Sequence, residues 1–308
     1  MTRISTLAQN QLLLRNNQVV QQRIFERQEQ IASGLKSPDF AGLRGNSVPL
    51  TTAQSREARA EAFLQSNNVT ATKLSFVDSA LNEVADIAAQ FKEDYLDAEG
   101  VIDFTQFQEQ ARGALTRITA ILNTRDQNGA FAFSGSRTDV APVTLDTSTF
   151  TVTFNNDQVV EQATIEEGST IDIGVLADDP ALSNFIDLLV DVANDAQTLI
   201  RGPNGTTPPP PSAPGDGPTN IANNVAAIDA ALADIHQLQG TVGIRQKLVE
   251  EADARHTAEL DVTRAFIGSL KDVDVAEAII QVNQDQIALE SSFTLTGQLR
   301  NLSLINFI

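Results

Sequence analysis

The stretch VAAIDAALADIHQLQGTVGIRQKLVEEADARHTAELDVTRAFIGSL, residues 225–270, decides the fold of this chain. Mostly apolar residues recur in it at alternating intervals of three and four, which is the heptad spacing of helices that pack along one another. We therefore predict one long helix with a continuous apolar seam. The seam positions are Val225, Ile228, Leu232, Ile235, Gln239, Val242, Gln246, Val249, Asp253, His256, Leu260, Thr263, Ile267 and Leu270.

The heptad phase slips after Leu270, which predicts a separate C-terminal segment. Its seam positions are Val275, Ile279, Val282, Gln286, Leu289 and Phe293. The last residues, 302–308, form the apolar run LSLINFI. Chain ends are usually polar and frayed. We expect this end to be covered, and the covering surface need not belong to the same chain.

The N-terminal residues 3–32 also have helical periodicity, with Leu13, Val20, Ile24 and Ile31 recurring among many Gln and Asn residues. Amide side chains weaken an isolated coiled coil, so this segment is expected to order only on assembly. Gly34 is predicted to end the helix. The next stretch is expected to be non-helical because it contains Pro38, Gly42, Gly45 and Pro49.

Residues 50–99 contain no Gly or Pro and predict a second long helix, which Gly100 would end. Thr105 and Gln108 resemble a capping box, which predicts a third helix over residues 105–126. A turn is expected at Asn128–Gly129. The seam of the second helix consists of Phe63, Thr70, Leu74, Val77, Leu81, Val84, Ala88, Phe91 and Tyr95.

The middle of the chain changes from helical to alternating patterns. Residues 150–154 and 171–175 read as strands, and a turn at Asn155–Asn156 would join the first to a strand near residues 159–165. A helix is expected over residues 182–200. Residues 202–218 hold seven of the eleven prolines and predict an extended linker. The expected fold is mainly α with a small β-containing insertion, and the N- and C-terminal helices pair into a long antiparallel coiled-coil rod.

Composition narrows the possible functions. The formal net charge is −19, which argues against nucleic acid as a partner. Residues 1–60 have eight Lys/Arg and four Asp/Glu, whereas residues 141–200 have eleven Asp/Glu and no Lys or Arg. We interpret the acidic middle as a charged surface that keeps this stretch soluble, and a region that projects outward is the alternative. There is no cysteine and no stretch of about 20 apolar residues. The apolar run in residues 1–20 is too short for a signal core, so we expect no secretory signal.

Catalytic and metal-binding patterns are missing from the sequence. The two histidines, His236 and His256, both fall in predicted helix, and His256 occupies a seam position where a packed imidazole is expected. Adjacent carboxylates such as Asp178–Asp179 diverge on any regular element and are interpreted as solvated faces. No HExxH, CxxC, GxxxxGK or GxSxG motif occurs. We predict a scaffold or polymer subunit rather than an enzyme, with no cofactor and no metal.

Two co-linear groups of motifs resemble the flagellin superfamily. Residues 240–252, GTVGIRQKLVEEA, and residues 269–279, SLKDVDVAEAI, are similar to the flagellin C-terminal signature. Residues 4–7, ISTL, and 33–36, SGLK, resemble the N-terminal half. The resemblance covers both ends, about two-thirds of the chain. It implies a structural subunit of the bacterial flagellum.

Within the superfamily, two segments are similar to the hook–filament junction family. These are residues 128–139, NGAFAFSGSRTD, and the ending at residues 302–308. In contrast, residues 37–43, SPDFAGL, depart from that family's pattern and resemble filament flagellins. A filament flagellin therefore remains the alternative, and a soluble coiled-coil adaptor is a remoter one.

The resemblance also implies a mechanism and partners. The termini would leave through the flagellar type III export route without a cleaved signal, aided by an export chaperone, and fold together outside the cell. The partners would be copies of the chain and other flagellar axial proteins, namely hook-associated protein and flagellin. The implied assembly residues are Ile4, Leu7, Leu13, Val20, Ile24, Ile31, Val275, Ile279, Val282, Leu289, Phe293, Leu302, Leu304, Phe307 and Ile308.

The same resemblance implies a division into domains. Residues 1–49 with 275–308 would form the inner tube domain, and residues 50–129 with 219–274 the helical rod. Residues 130–200 would form a small acidic outer domain, followed by the linker at 201–218. The implied rod core consists of Phe63, Leu74, Val77, Leu81, Val84, Phe91, Ile228, Leu232, Ile235, Val242, Val249, Leu260 and Ile267.

Overall fold

A computed structural model of the chain describes residues 2–39, 42–97, 104–194 and 217–305. The predicted mainly helical fold with a small β-containing insertion is confirmed. The helices are α1 (Thr2–Ser33), α2 (Ser47–Asp97), α3 (Phe104–Leu122), α4 (Pro180–Asn194), α5 (Gly217–Lys271) and α6 (Val275–Ile305). The strands are β1 (Val143–Asp146), β2 (Thr151–Phe154), β3 (Gln162–Glu166) and β4 (Ser169–Asp172).

Contacts divide the chain into two compact units. The first unit contains residues 1–61 and 258–308, and the second contains residues 62–257. The first therefore holds α1, α6 and the adjoining ends of α2 and α5. The second holds the remainder of α2 and α5 with α3, α4 and all four strands. The four-part domain scheme stays a prediction of the sequence.

In the first unit, the end of α1 is tied to the break between α5 and α6. Gly34 adopts a φ of 74°, as a helix-terminating glycine does, and its N–H donates to Gln30 O at 2.8 Å. Lys36 N donates to Lys271 O at 2.8 Å, and Val273 N donates to Gly34 O at 3.0 Å. The break at residues 272–274 lies where the heptad phase slips, so the predicted separation of the two C-terminal segments is confirmed.

The start of α2 corrects one prediction. A short 3₁₀ turn at Arg44–Asn46 leads into α2 at Ser47, so Pro49 lies inside the helix rather than keeping the stretch non-helical. The first turn of a helix tolerates proline because its N–H groups have no partner within the helix. Leu50 and Ala53, in the next turn of α2, are buried, which fixes this end of α2 in the first unit.

Three helix boundaries also differ from prediction. α3 begins at Phe104, so Thr105 is inside the helix and is not its cap, and α3 ends at Leu122 instead of residue 126. Residues 126–130 form a turn instead of continuing the helix: Asp126 Oδ1 accepts from Asn128 N at 2.8 Å and from Ala130 N at 3.0 Å. Pro180 begins α4 two residues before the predicted start.

The predicted turn at Asn128–Gly129 is confirmed, because Gly129 has a φ of 80° and donates to Asp126 O at 3.0 Å. Gly100 and residues 201–216 of the predicted linker lie outside the described residues. Gly217 and Pro218, predicted as linker, are the first residues of α5.

The strands pair differently from the predicted hairpin. β1 pairs antiparallel with β2, and β3 pairs antiparallel with β4, giving two separate two-stranded sheets. Asn155–Asn156 is therefore not a turn between paired strands. Residues 173–175, predicted as strand, lie beyond the end of β4. Asn155 instead anchors the first hairpin: its Nδ2 donates to Thr144 Oγ1 at 2.8 Å and to Ala141 O at 3.2 Å.

The core of the second unit forms where α2, α3, α4, α5 and the hairpins bring their apolar faces together. Phe91, Phe107 and Phe185 meet there, with ring centroids 4.8 Å apart for Phe91–Phe107 and 6.4 Å apart for Phe91–Phe185. Tyr95 packs on Phe107 at 5.2 Å and is buried. Aromatic pairs at these spacings stabilise a core beyond the area they bury.

A buried polar cluster fastens the tip of the β3–β4 hairpin to α2 and α5. The Ile165 carbonyl accepts hydrogen bonds from Asn67 Nδ2 at 3.1 Å and from His256 Nε2 at 3.0 Å. His256 stacks on Phe63 with centroids 4.9 Å apart, and Asn67 Nδ2 also donates to Asp253 Oδ1 at 2.8 Å. The interpretation of His256 as a packed imidazole agrees with this position. Its ring serves as a donor to the hairpin backbone.

The loop at residues 134–136 is held by one carboxylate. Asp157 Oδ1 accepts from Ser136 N at 2.9 Å and from Val159 N at 3.2 Å, and Asp157 Oδ2 accepts from Ser136 Oγ. The Ser136 hydroxyl and N–H lower the pKa of Asp157, because both stabilise its charged form. Gly135 lies between Ser134 and Ser136 in this loop and has a φ of 68°.

We expect Gly135→Ala to destabilise the second unit by about 1–3 kcal/mol, because a side chain is strained at that φ. The added Cβ would also lie 2.2 Å from Asp157 Oδ1. Urea unfolding followed by the fluorescence of Tyr95, the single tyrosine of a chain without tryptophan, reports on this unit alone. Gly129→Ala is the matched control, since its φ is similar but nothing lies within 4 Å of the new Cβ. Equal losses for both variants would contradict the role of Asp157.

Candidate assembly surface on the terminal helices

α1 packs against α6 in the first unit, and one line of α1 faces the contact. Among residues 11–29, all are exposed except five that recur at intervals of four and three. With Ile31 these form the α1 part of what we call the inner seam: Leu13, Asn17, Val20, Ile24, Arg27 and Ile31. The spacing is the heptad pattern of a coiled coil, but two of the six positions are polar.

The facing line on α6 is more polar still. Its positions, the α6 part of the inner seam, are Ala278, Val282, Asp285, Leu289, Ser292 and Thr296, again at intervals of four and three. Asp285 is only 8% exposed and Asn17 only 6% exposed. A seam with this many buried polar groups gains less from apolar burial than an aliphatic one does.

Direct polar contacts show how the two lines meet. Ser292 Oγ donates to Asn17 Oδ1 at 2.5 Å. Arg23 Nη2 lies 3.1 Å from Asp285 Oδ1, and Arg27 Nη1 pairs with Asp285 Oδ2. Residue numbers rise along α1 as they fall along α6, so the helices are antiparallel.

Apolar side chains on the other faces of both helices are uncovered. On α6, Val275, Ile279 and Phe293 share one face beside the inner seam and are 40%, 45% and 51% exposed. We call these three residues the α6 outer stripe. On α1, Leu12, Leu14, Val19 and Phe25 are exposed on the two flanks of the inner seam. Ile280, Ile287 and Leu295 add further exposed apolar surface to α6.

The sequence-predicted assembly residues therefore separate into two groups. Leu13, Val20, Ile24, Ile31, Val282 and Leu289 lie in the inner seam, whereas Val275, Ile279 and Phe293 form the outer stripe. The side chains of Ile4, Leu7, Leu302 and Leu304, together with Phe307 and Ile308, lie outside the described part of the chain. Sequence reasoning missed Asn17, Arg27, Asp285 and Ser292. Their heptad spacing was the only available signal, because their polarity argued against a seam.

The thirteen predicted rod-core residues lie on α2 and α5, in both units. Ten are buried: Leu74, Val77, Leu81, Val84, Phe91, Ile228, Ile235, Val242, Val249 and Leu260. Phe63, Leu232 and Ile267 are partly buried. Long helices therefore bury one apolar line each, as heptad spacing requires.

The described residues contain neither a candidate metal site nor a candidate membrane-spanning helix. Within the described ranges, no group of three or more His, Asp or Glu side chains is arranged to hold a metal ion. No helix among the described residues is long and apolar enough to cross a membrane. The uncovered apolar surface of α1 and α6 is the candidate functional site.

Comparison with known proteins bears on these helices directly. Residues 225–308 match the family model of the bacterial flagellin C-terminal helical region. The C-terminal region is flagellin-like. This flagellin-like region runs through most of α5 and all of α6, so it includes the α6 half of the inner seam and the whole outer stripe. No curated protein sequence matches the chain.

Solved structures share the fold. A structure assigned to a flagellar hook-associated protein from Vibrio parahaemolyticus aligns with a TM-score of 0.58 at 17% identity, covering 76% of this chain and 99% of that one. Flagellar hook-associated protein 3 from Legionella pneumophila aligns with a TM-score of 0.59 at 15% identity over 71% and 98%. The flagellar junction protein FlgL from Legionella pneumophila gives 0.52 at 12% identity over 71% and 98%. The chain thus shares the fold of these solved structures, and its C-terminal region is similar to that of flagellins.

The polar inner seam predicts weak protection of the terminal helices in the free chain. In dilute solution, amides of residues 11–30 and 280–298 are expected to exchange about a hundredfold faster than those of residues 74–91, equivalent to about 3 kcal/mol. Residues 74–91 belong to a densely buried core, which supplies the internal reference. Hydrogen exchange followed by mass spectrometry measures the exchange rates of the terminal helices and of residues 74–91 in one sample. Equal protection of the two regions would contradict the expectation.

Proposed function

We propose that the chain is a structural subunit of the bacterial flagellum that assembles through its terminal helices and joins the hook to the filament. The observation that carries the proposal is the uncovered α6 outer stripe, which lies on the helix that matches the flagellin C-terminal region. A subunit that works alone gains nothing from exposed Ile279 and Phe293. A subunit that polymerises buries them against its neighbours.

Assembly offsets the weakness of the inner seam. Ordering two helices costs conformational entropy, and the polar positions Asn17 and Asp285 recover little of that cost through apolar burial. Contact between the outer stripe of one subunit and an apolar flank of α1 in a neighbour supplies the missing burial. The described α1 carries more basic than acidic residues and α6 the reverse, which favours such contacts.

The partners proposed for these surfaces are further copies of the chain and other flagellar axial proteins. Export through the flagellar type III route without a cleaved signal, with help from a chaperone, suits a chain whose ends fold fully only on assembly. The place of action would be the extracellular flagellum. The chain shares its fold with hook-associated and junction proteins at low sequence identity. By analogy, this favours a role at the junction over a role in the filament itself.

Deleting the gene in the source bacterium tests the proposal against its alternatives. If the chain joins hook to filament, hooks remain intact and filament protein is shed into the medium. Loss of the major filament protein itself would instead identify a filament flagellin. Unchanged motility and unchanged flagella would identify a soluble coiled-coil adaptor and contradict the proposal. Restoring the intact gene is the control for each outcome.

A further inference from the structure

The inner seam forms regular layers across α1 and α6. The Asn17–Ser292 hydrogen bond fixes one layer. Counting along both helices in opposite directions then sets Val20 opposite Leu289, and Ile24 opposite Asp285. Each layer follows from the heptad spacing of the partly or fully buried positions.

Three charges meet around the layer of Ile24 and Asp285. Asp285 is nearly buried, and its two carboxylate oxygens each pair with a different arginine, Arg23 and Arg27, one turn apart on α1. Ile24 lies between these arginines on the face that meets Asp285. The Asp285 carboxylate is therefore paired with arginines from two successive turns of α1.

From this geometry we propose that Asp285, with Arg23 and Arg27, selects the register of α1 against α6 along the inner seam, in addition to the backbone hydrogen bonds that join Gly34 and Lys36 to residues 271–273. The pairing takes place within one chain, so it does not depend on the flagellar role proposed above. The three residues are register-determining because their correct layer is the one that leaves no buried charge unpaired.

Sliding either helix by one heptad destroys the charge match. A slip in one direction would set Asp285 beside Ile31. A slip in the other direction would set Asp285 beside Asn17. In both cases the carboxylate loses Arg23 and Arg27 and stays in the seam without a cation.

The aliphatic positions discriminate less between these registers. Val20 faces Leu289 in the proposed layer, and it would face Thr296 or Val282 in the two slipped ones. Each of these partners offers a methyl-bearing side chain of similar or smaller size. Apolar contact at this position therefore selects the register weakly, whereas buried polar residues select it strongly in coiled coils.

Disulfide trapping can read the register, because the chain has no cysteine of its own. A disulfide requires Cα atoms within about 7 Å, and a heptad slip moves the helices by about 10 Å. In the full chain, Val20→Cys is combined with Leu289→Cys for the proposed layer. It is combined with Thr296→Cys or Val282→Cys for the two slipped layers.

Each cysteine pair is then placed in two further backgrounds. Arg27→Leu/Asp285→Leu removes charge from the seam. Arg15→Leu/Glu290→Leu is the matched control, since it makes the same changes at exposed positions of the same two helices. The proposal expects the slipped disulfides to rise about tenfold in the first background and to stay at the unmodified level in the control. Unchanged slipped yields in the first background would overturn it, because the charges would then add stability without selecting register.

A charge reversal gives an independent reading if the leucine variant misfolds. Asp285→Arg alone sets three arginines together and is expected to abolish the disulfide between positions 20 and 289. Adding Arg23→Asp and Arg27→Asp reverses the cluster and is expected to restore at least about half of that disulfide. Failure of the reversed cluster to restore it, with the Tyr95 signal intact, would overturn the proposal.

Discussion

Replacing Ile279 and Phe293 together with aspartate is expected to abolish assembly while leaving the second unit folded. Both side chains are about half exposed in the free chain, so the change costs the subunit little. In an assembled interface each new carboxylate would be buried without a partner, and this is expected to lower assembly at least about a hundredfold. Complementing the deletion strain with the variant and counting attached filaments measures the effect.

The matched control for the outer stripe is Val69→Asp/Val159→Asp. These valines are also about half exposed, but they belong to the second unit, outside the proposed surface. Filaments should attach normally in that strain, and both variants should be exported in similar amounts. Normal filament attachment with the Ile279/Phe293 variant would contradict the proposed role of the outer stripe in assembly.

The largest effect on stability is expected from Phe185→Ala, which should destabilise the second unit by about 3–5 kcal/mol. Phe185 is completely buried and packs edge-on against Phe91. Its removal leaves a cavity under α4 and takes away an aromatic contact. Urea unfolding followed by Tyr95 fluorescence measures the loss, since Tyr95 lies in the same aromatic cluster.

Asn184→Ala is the control for this variant, because Asn184 is the exposed neighbour on α4. A change within about 0.5 kcal/mol is expected there. A loss below about 1 kcal/mol for Phe185→Ala would mean that α4 contributes little to the core, contrary to its burial.

The helices could be predicted from the sequence because heptad spacing is a local signal that survives in one chain. The phase slip after Leu270 located the break before α6, and Gly34 located the end of α1. Strand pairing was predicted wrongly because the β1–β2 turn contains no glycine and depends on Phe150 at a φ of 49°. The β3–β4 turn does carry a signal, Gly168 at a φ of 81°, and this glycine could have been used.

The inner seam shows a second limit of sequence reasoning. The most apolar heptad line of α6 passes through Ile279 and Phe293, so it was the natural choice for the helix contact. The chain instead turns Asp285 and Ser292 inward, because α1 offers Arg27 and Asn17 to match them. Which line faces inward depends on the partner helix, and a pattern read along one helix does not contain that information.

The most direct test of the account is to locate the protein on intact flagella. Antibodies raised against the folded insertion, residues 143–194, can be visualised with gold particles by electron microscopy of the source bacterium, with the deletion strain as the background control. The account predicts label confined to the point where the filament meets the hook. Label along the whole filament, or none on the flagellum, would contradict it.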